Sequence, residues 1–192
     1  MITTLWVAAG CSVVTEEPGI QVRVVVEGVG QPEGLTEAWA GVRAVSLSPC
    51  AVAWHPLDLL GAPARADHSI DSPASAAFPG VTDLLGDGRQ VTLTPPVETY
   101  CFARFVLEPS EGDGERDGAS VGAVLPDGAV RSDQVAWLDL PLDPALALSA
   151  DAPRATLTLG FVLDGWVAAA GDGAPALFDH ARNHVVFDMR TP

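Results

Sequence analysis

Two histidines, His180 and His184, stand four residues apart near the end of the chain. On a helix this spacing puts both imidazoles on one face, and neutral imidazole is a common ligand of zinc and copper. Two ligands do not complete a metal site, so a third side chain is required. The candidates for that third ligand are His55, which we take first, and His68, Asp179 and Asp188. The alternative interpretation is a pair of surface histidines on a short helix.

Four carboxylates at alternate positions form a second candidate site. They are Glu111, Asp113, Glu115 and Asp117. Calcium loops use oxygen ligands at this spacing, but they also need a glycine after the third ligand and a closing glutamate. Here those two positions hold Arg116 and Gly122. The pattern therefore favours a solvated acidic loop.

The first of three cysteines follows an uncharged, mostly apolar segment, residues 2–10, which ends in Val7-Ala8-Ala9-Gly10-Cys11. Small residues between an apolar run and a cysteine resemble the lipobox of bacterial lipoproteins, where the signal is cut before the cysteine and its thiol is acylated. The resemblance implies a truncated signal segment at residues 1–10, a lipid on Cys11, and a tether over residues 11–19. The alternative is a free or paired Cys11 in a buried first strand.

No later segment has the roughly 18 consecutive apolar residues that a membrane-spanning helix needs. We therefore expect a domain anchored through Cys11 on the periplasmic or outer-membrane face of a bacterial envelope. An oxidising compartment favours one disulfide between the remaining cysteines, Cys50 and Cys101. By lowering the conformational entropy of the unfolded chain, such a bond should stabilise the fold by about 4 kcal/mol. The alternative is two independently buried thiols.

The charge and motif content exclude several function classes. The net charge is -15 and the chain contains no lysine. Such a protein repels phosphate backbones and anionic lipid headgroups, so we expect no nucleic-acid partner. Without lysine there is no Schiff-base chemistry. The sequence also lacks G-x-S-x-G, H-E-x-x-H, C-x-x-C and phosphate-loop motifs, so we expect no enzymatic activity and no cofactor, copper or zinc being the alternative.

The elements that position these residues are short strands. The chain contains 19 glycines and 16 prolines, and turn signals recur at intervals of about ten residues. This pattern predicts an all-β fold, an antiparallel β-sandwich of about nine short strands with long loops and at most one short helix near the C-terminus. We expect residues 20–192 to form a single domain.

Alternating apolar residues predict the individual strands. In residues 20–27, Ile20, Val22, Val24 and Val26 should face the core, and in residues 98–107 we expect Cys101 on the buried face. Glycine-rich turns predict a hairpin at residues 81–93 and another that runs from residues 121–125 through the Pro126-Asp127-Gly128 turn to Ala129 and onward. Residues 141–153 are expected to form a loop. A helix with Pro175 in its first turn is expected to end near residue 183.

Two segments carry a further resemblance. They are Val91-Thr92-Leu93-Thr94-Pro95-Pro96, leading through Glu98-Thr99-Tyr100-Cys101 to Leu107, and Thr156-Leu157-Thr158-Leu159-Gly160-Phe161, ending at Asp164-Gly165-Trp166. In this arrangement the chain resembles bacterial β-sandwich lipoproteins of unknown function and is more distantly similar to the MbnP-like secreted copper-binding proteins. The resemblance raises copper binding as a hypothesis. The sequence thus predicts a non-enzymatic, lipid-anchored binding module with a possible envelope protein partner, and a histidine-based metal protein as the alternative.

Overall fold

The computed structural model describes residues 19–50, 72–111 and 114–191. Within these residues it contains twelve strands, two α-helices and one turn of 3₁₀ helix, Gly114–Arg116. The strands are β1 Gln21–Val29, β2 Glu37–Ala40, β3 Val42–Pro49, β4 Ser75–Ala77, β5 Thr82–Asp83, β6 Arg89–Leu93, β7 Thr99–Leu107, β8 Val121–Leu125, β9 Gly128–Ser132, β10 Ala136–Ala147, β11 Arg154–Val162 and β12 Val185–Arg190. The helices are α1 Trp166–Gly171 and α2 Ala174–Asn183. Neither described helix is long and apolar enough to cross a bilayer.

The described strands form three four-stranded sheets. The first sheet has the order β12-β11-β1-β6, the second β10-β7-β3-β4 and the third β5-β2-β8-β9. All neighbouring strands are antiparallel except β1 and β11, which run parallel. The predicted all-β class is confirmed. The expected count of about nine strands was too low, because several strands of two to five residues lacked a readable period.

The first two sheets pack face to face. Val22, Val24 and Val26 of β1 are completely buried, and alternate residues of β11 from Ala155 to Phe161 face the same core. Phe105 of β7 meets Phe187 of β12 edge to face, with ring centroids 6.2 Å apart. This contact joins the second sheet to the first and gives the sandwich-like core.

The alternation predicted for β7 holds only in part. Ala103, Phe105 and Leu107 are buried as expected, but Tyr100 is also buried and Cys101 is only half-buried. The cause is a β-bulge, since the register with β3 shifts between the pairs Ser48–Phe102 and Pro49–Tyr100. One extra residue in a strand reverses the facing of every residue beyond it.

Two further expectations were wrong. Residues 141–147 are not loop, because β10 continues to Ala147; as an edge strand it tolerates Pro141 and Pro144. The structure also has two helices where at most one was expected. The predicted helix is α2, with proline in its first turn, and α1 is the addition. Six residues are too few for a helical period, and Trp166 anchors α1 by complete burial.

Candidate anion-binding face

The two cysteines of the predicted pair are placed as a disulfide requires. Cys50 follows β3, and Cys101 lies in the bulge of β7; their Sγ atoms are 2.13 Å apart and their Cα atoms 4.7 Å apart. The amide of Cys50 donates a hydrogen bond to the carbonyl oxygen of Thr99, at 2.9 Å. The disulfide therefore links two strands, β3 and β7, that are already neighbours in the sheet. Cys11, the predicted lipidation site, lies outside the described residues.

The structure brings His180 and His184 together on α2. Their rings stack with centroids 4.1 Å apart and planes 10° from parallel. Nε2 of His180 lies 2.9 Å from the carbonyl oxygen of Asp164, and Nδ1 of His184 lies 3.2 Å from the carbonyl oxygen of His180. A carbonyl oxygen only accepts hydrogen bonds, so each of these nitrogens is the protonated one. In the neutral form of each imidazole the lone pair is therefore on the other nitrogen, Nδ1 of His180 and Nε2 of His184.

This stacking does not by itself make a metal site. A metal bound to imidazole lies in the plane of the ring at about 2.0–2.1 Å, and two nearly parallel planes do not meet at one ion. One ring would have to rotate away, and His180 is confined by Gly165, where an added Cβ would stand 2.7 Å from Cε1 of the imidazole. Among the described residues no group of three His, Cys, Asp or Glu could hold a metal. The proposed third ligand, His55, lies outside them.

Arg116, in the acidic loop near residue 115, forms ion pairs with carboxylates of two strands. The guanidinium of Arg116 pairs with Glu37 at 2.9 Å and with Asp83 at 3.4 Å. It also lies 5.8 Å from the ring centre of the fully buried Trp39. The hydrogen bond to Glu37 raises the pKa of Arg116 above its ordinary value, because it stabilises the charged form. Arg116 therefore covers the indole ring.

A cluster that the sequence analysis did not identify lies on the solvent face of the first sheet. Thr156 of β11 is at its centre. Arg23 of β1 stands opposite Thr156 on one side, and Arg190 of β12 stands opposite it on the other. Arg154 is two residues before Thr156 on the same strand, so it shares the same face. All three arginines are exposed.

The sheet geometry directs the three guanidinium groups to one area. Neighbouring strands are about 4.8 Å apart, so the Cα atoms of Arg23 and Arg190 are separated by about 10 Å. Two residues along a strand add about 6.6 Å for Arg154. The open depression around them has a volume of about 600 Å³. It is lined by Gln21, Arg23, Thr92, Arg154, Ala155, Thr156, Arg190 and Thr191.

The positive charge of this face is only partly neutralised. Arg23 donates a hydrogen bond to the neutral amide oxygen of Gln90, and Nε of Arg190 pairs with Asp188 at 2.8 Å. Within the described residues, Arg154 makes no hydrogen bond or ion pair through its side chain. None of the described residues that line the depression is acidic. A chain of net charge -15 thus concentrates three of its ten arginines in one depression.

The sequence indicates which strand face carries each arginine of this cluster, but it does not show that these strands are neighbours. Alternation alone places Arg23 on the solvent face of β1, and it places Arg154 on the solvent face of β11. Their proximity depends on the parallel pairing of β1 with β11, two strands near opposite ends of the chain. No family model matches the chain, and no curated protein or solved structure shows a significant match to it.

Proposed function

We propose that the protein is a non-enzymatic binding module, anchored to the bacterial envelope through a lipid on Cys11, that recognises an anionic group. The observation that carries the binding proposal is the convergence of Arg23, Arg154 and Arg190 around Thr156. The anchoring proposal rests on the lipobox-like sequence before Cys11. We call the surface around Thr156 the arginine face.

The chemistry of the arginine face suits oxyanions. A guanidinium presents paired N–H donors that match the oxygens of a carboxylate, sulfate or phosphate. The hydroxyls of Thr92 and Thr156 add neutral donors beside these charges. Among the described residues, the lining of the depression includes no histidine, cysteine or carboxylate that could act as a general base. This composition supports binding and not catalysis.

Isothermal titration calorimetry tests this function with pyrophosphate and citrate as probes. The full chain is used with Cys11→Ser, so that the protein is not acylated. Hydrogen bonds between charged groups contribute about 1.5–3 kcal/mol, so Arg154→Gln should weaken binding by about 10-fold or more. The matched control is Arg182→Gln, which removes an exposed arginine from α2. Absence of binding heat, or equal losses in both variants, would refute a site at the arginine face.

A histidine-based metal site is the second candidate. Its support is the adjacency of His180 and His184, each with one nitrogen that carries a lone pair. Titration of the full chain with Cu²⁺ and Zn²⁺ tests it, with His180→Ala/His184→Ala and His55→Ala as the variants. Stoichiometric binding that is lost in the double variant would support this function. Binding that survives in it would exclude the helix pair as ligands.

A further inference from the structure

An apolar groove borders the arginine face at the end of the sheet where the described chain begins. Its volume is about 790 Å³. It is lined by Gly19, Ile20, Thr94, Pro95, Pro96, Val97, Ala150 and Pro153. Val97 is 68% exposed.

The groove and the arginine face are continuous through the backbone. Ile20 of the groove precedes Gln21 of the arginine face, and Pro153 precedes Arg154. The amide of Gln21 donates a hydrogen bond to the carbonyl oxygen of Pro153 at 2.8 Å, which fixes the two segments side by side. The groove and the arginine face are therefore adjacent at this end of the molecule, and we call the two together the combined surface.

We propose that this combined surface docks on a bilayer of anionic phospholipid, with the arginines on headgroup phosphates and the groove rim at the interface. The inference rests on the proposed function, because it names the phosphate of a lipid headgroup as the anion that the arginine face binds. Apolar residues beside basic ones are typical of surfaces that lie on anionic membranes.

The position of the surface relative to the anchor supports a membrane partner. Seven residues lie between Cys11 and Gly19. The eight residue-to-residue steps of a fully extended chain span about 28 Å at most. A lipid on Cys11 would therefore hold Gly19, and the groove that it lines, near the bilayer. Such a tether raises the effective concentration of headgroups at the surface, so weak individual contacts suffice.

The acidity of the whole molecule opposes docking, but screening limits that repulsion. At physiological ionic strength the Debye length is about 8 Å, so charges farther away than this contribute little. On the solvent face of the sheet, Asp188 and Glu27 line the depression that adjoins the cluster, and Arg190 pairs with Asp188. Glu98 and Asp151 lie in loops on the groove side. The local balance of the arginine face is positive although the chain as a whole is strongly negative.

Vesicle co-sedimentation tests the inference with the full Cys11→Ser chain. The vesicles are phosphatidylcholine alone, or an equal mixture of phosphatidylcholine and phosphatidylglycerol. Residues 2–10 are uncharged and contribute equally to both vesicles, so the ratio of the two partition coefficients reports the anionic preference. Each basic residue near an anionic membrane surface adds to the free energy of binding. Arg23→Gln and Arg154→Gln should therefore each lower this ratio about fivefold. Arg182→Gln should leave it unchanged.

The other variants separate the possible outcomes. Val97→Ser should lower partitioning into mixed vesicles, since it removes an exposed apolar side chain from the rim, and pyrophosphate should compete with those vesicles. Equal partitioning into both vesicle types would overturn the inference. Pyrophosphate binding that depends on Arg154, without anionic preference for vesicles, would overturn it while the proposed function stands. Loss of both would refute both.

Discussion

Removing the Cys50–Cys101 bond should destabilise the protein by about 4 kcal/mol. The two cysteines are 51 residues apart in the sequence, and closing a loop of that length removes this much conformational entropy from the unfolded chain. The folded state should change little, because pairing of β3 with β7 and the bond from the Cys50 amide to Thr99 hold the cysteines together. The loss is large against a total stability of about 5–15 kcal/mol.

Urea unfolding followed by tryptophan fluorescence measures the difference. The comparison is between the oxidised protein, the reduced protein and Cys50→Ser/Cys101→Ser, all with Cys11→Ser to prevent disulfide exchange. With a slope of about 2–3 kcal/mol per molar urea, the midpoint should fall by about 1.3–2 M on reduction. The double variant should match the reduced protein and should not respond to reductant. A loss below about 1 kcal/mol would refute the loop-entropy reasoning.

Three more predictions concern the core. The pKa of Tyr100 should lie above 10.0, because burial disfavours the phenolate and Glu98 adds negative charge nearby. The raised pKa stabilises the folded protein fully at pH values below the unfolded pKa near 10, and this stabilisation is lost as the pH rises through the folded pKa. As the chain has one tyrosine, phenolate absorbance reports this group alone, and an ordinary titration would contradict the prediction. Gly122→Ala should cost about 1–3 kcal/mol in urea unfolding, because its Cβ would overlap the buried Trp39 ring. Gly171→Ala is the control, since nothing lies within 4 Å of its added Cβ. Equal changes in the free energy of unfolding for the two variants would show that the Trp39 ring moves aside without cost. Leu159→Ala should lower the free energy of unfolding by about 2–5 kcal/mol, because it leaves a cavity at a fully buried position. An unchanged midpoint of urea unfolding would show that the core collapses to fill the cavity.

Local periodicity predicted the parts of the fold that depend on local chemistry. The core face of β1 followed from strict alternation, and α2 followed from a glycine, an early proline and a helical run. The turn at Gly128 was correctly assigned to the hairpin of β8 and β9. In each of these elements the side-chain pattern and the final packing agree, so no distant residue had to be known.

The errors occurred where distant pairing decides the structure. The hairpin predicted for residues 81–93 is wrong, because β5 pairs with β2 and β6 pairs with β1. A turn at Gly88 is present, with a φ of 66°, but it passes the chain between two sheets. The facing of Cys101 changed with a bulge set by its partner strand. The arginine face could not be predicted for the same reason, since three separate strands supply its arginines.

The parallel pairing of β1 with β11 sets the order in which the molecule can be completed. During synthesis β1 emerges early, and its apolar side chains must wait until Val162 has followed before they have their partner strand. Contacts between such distant segments form slowly, and exposed apolar strands favour aggregation in the meantime. Arg190, on the last strand, is supplied later still. The arginine face is therefore complete only after β12 has been synthesised, and a chain ending before β12 would retain most of the core while lacking Arg190.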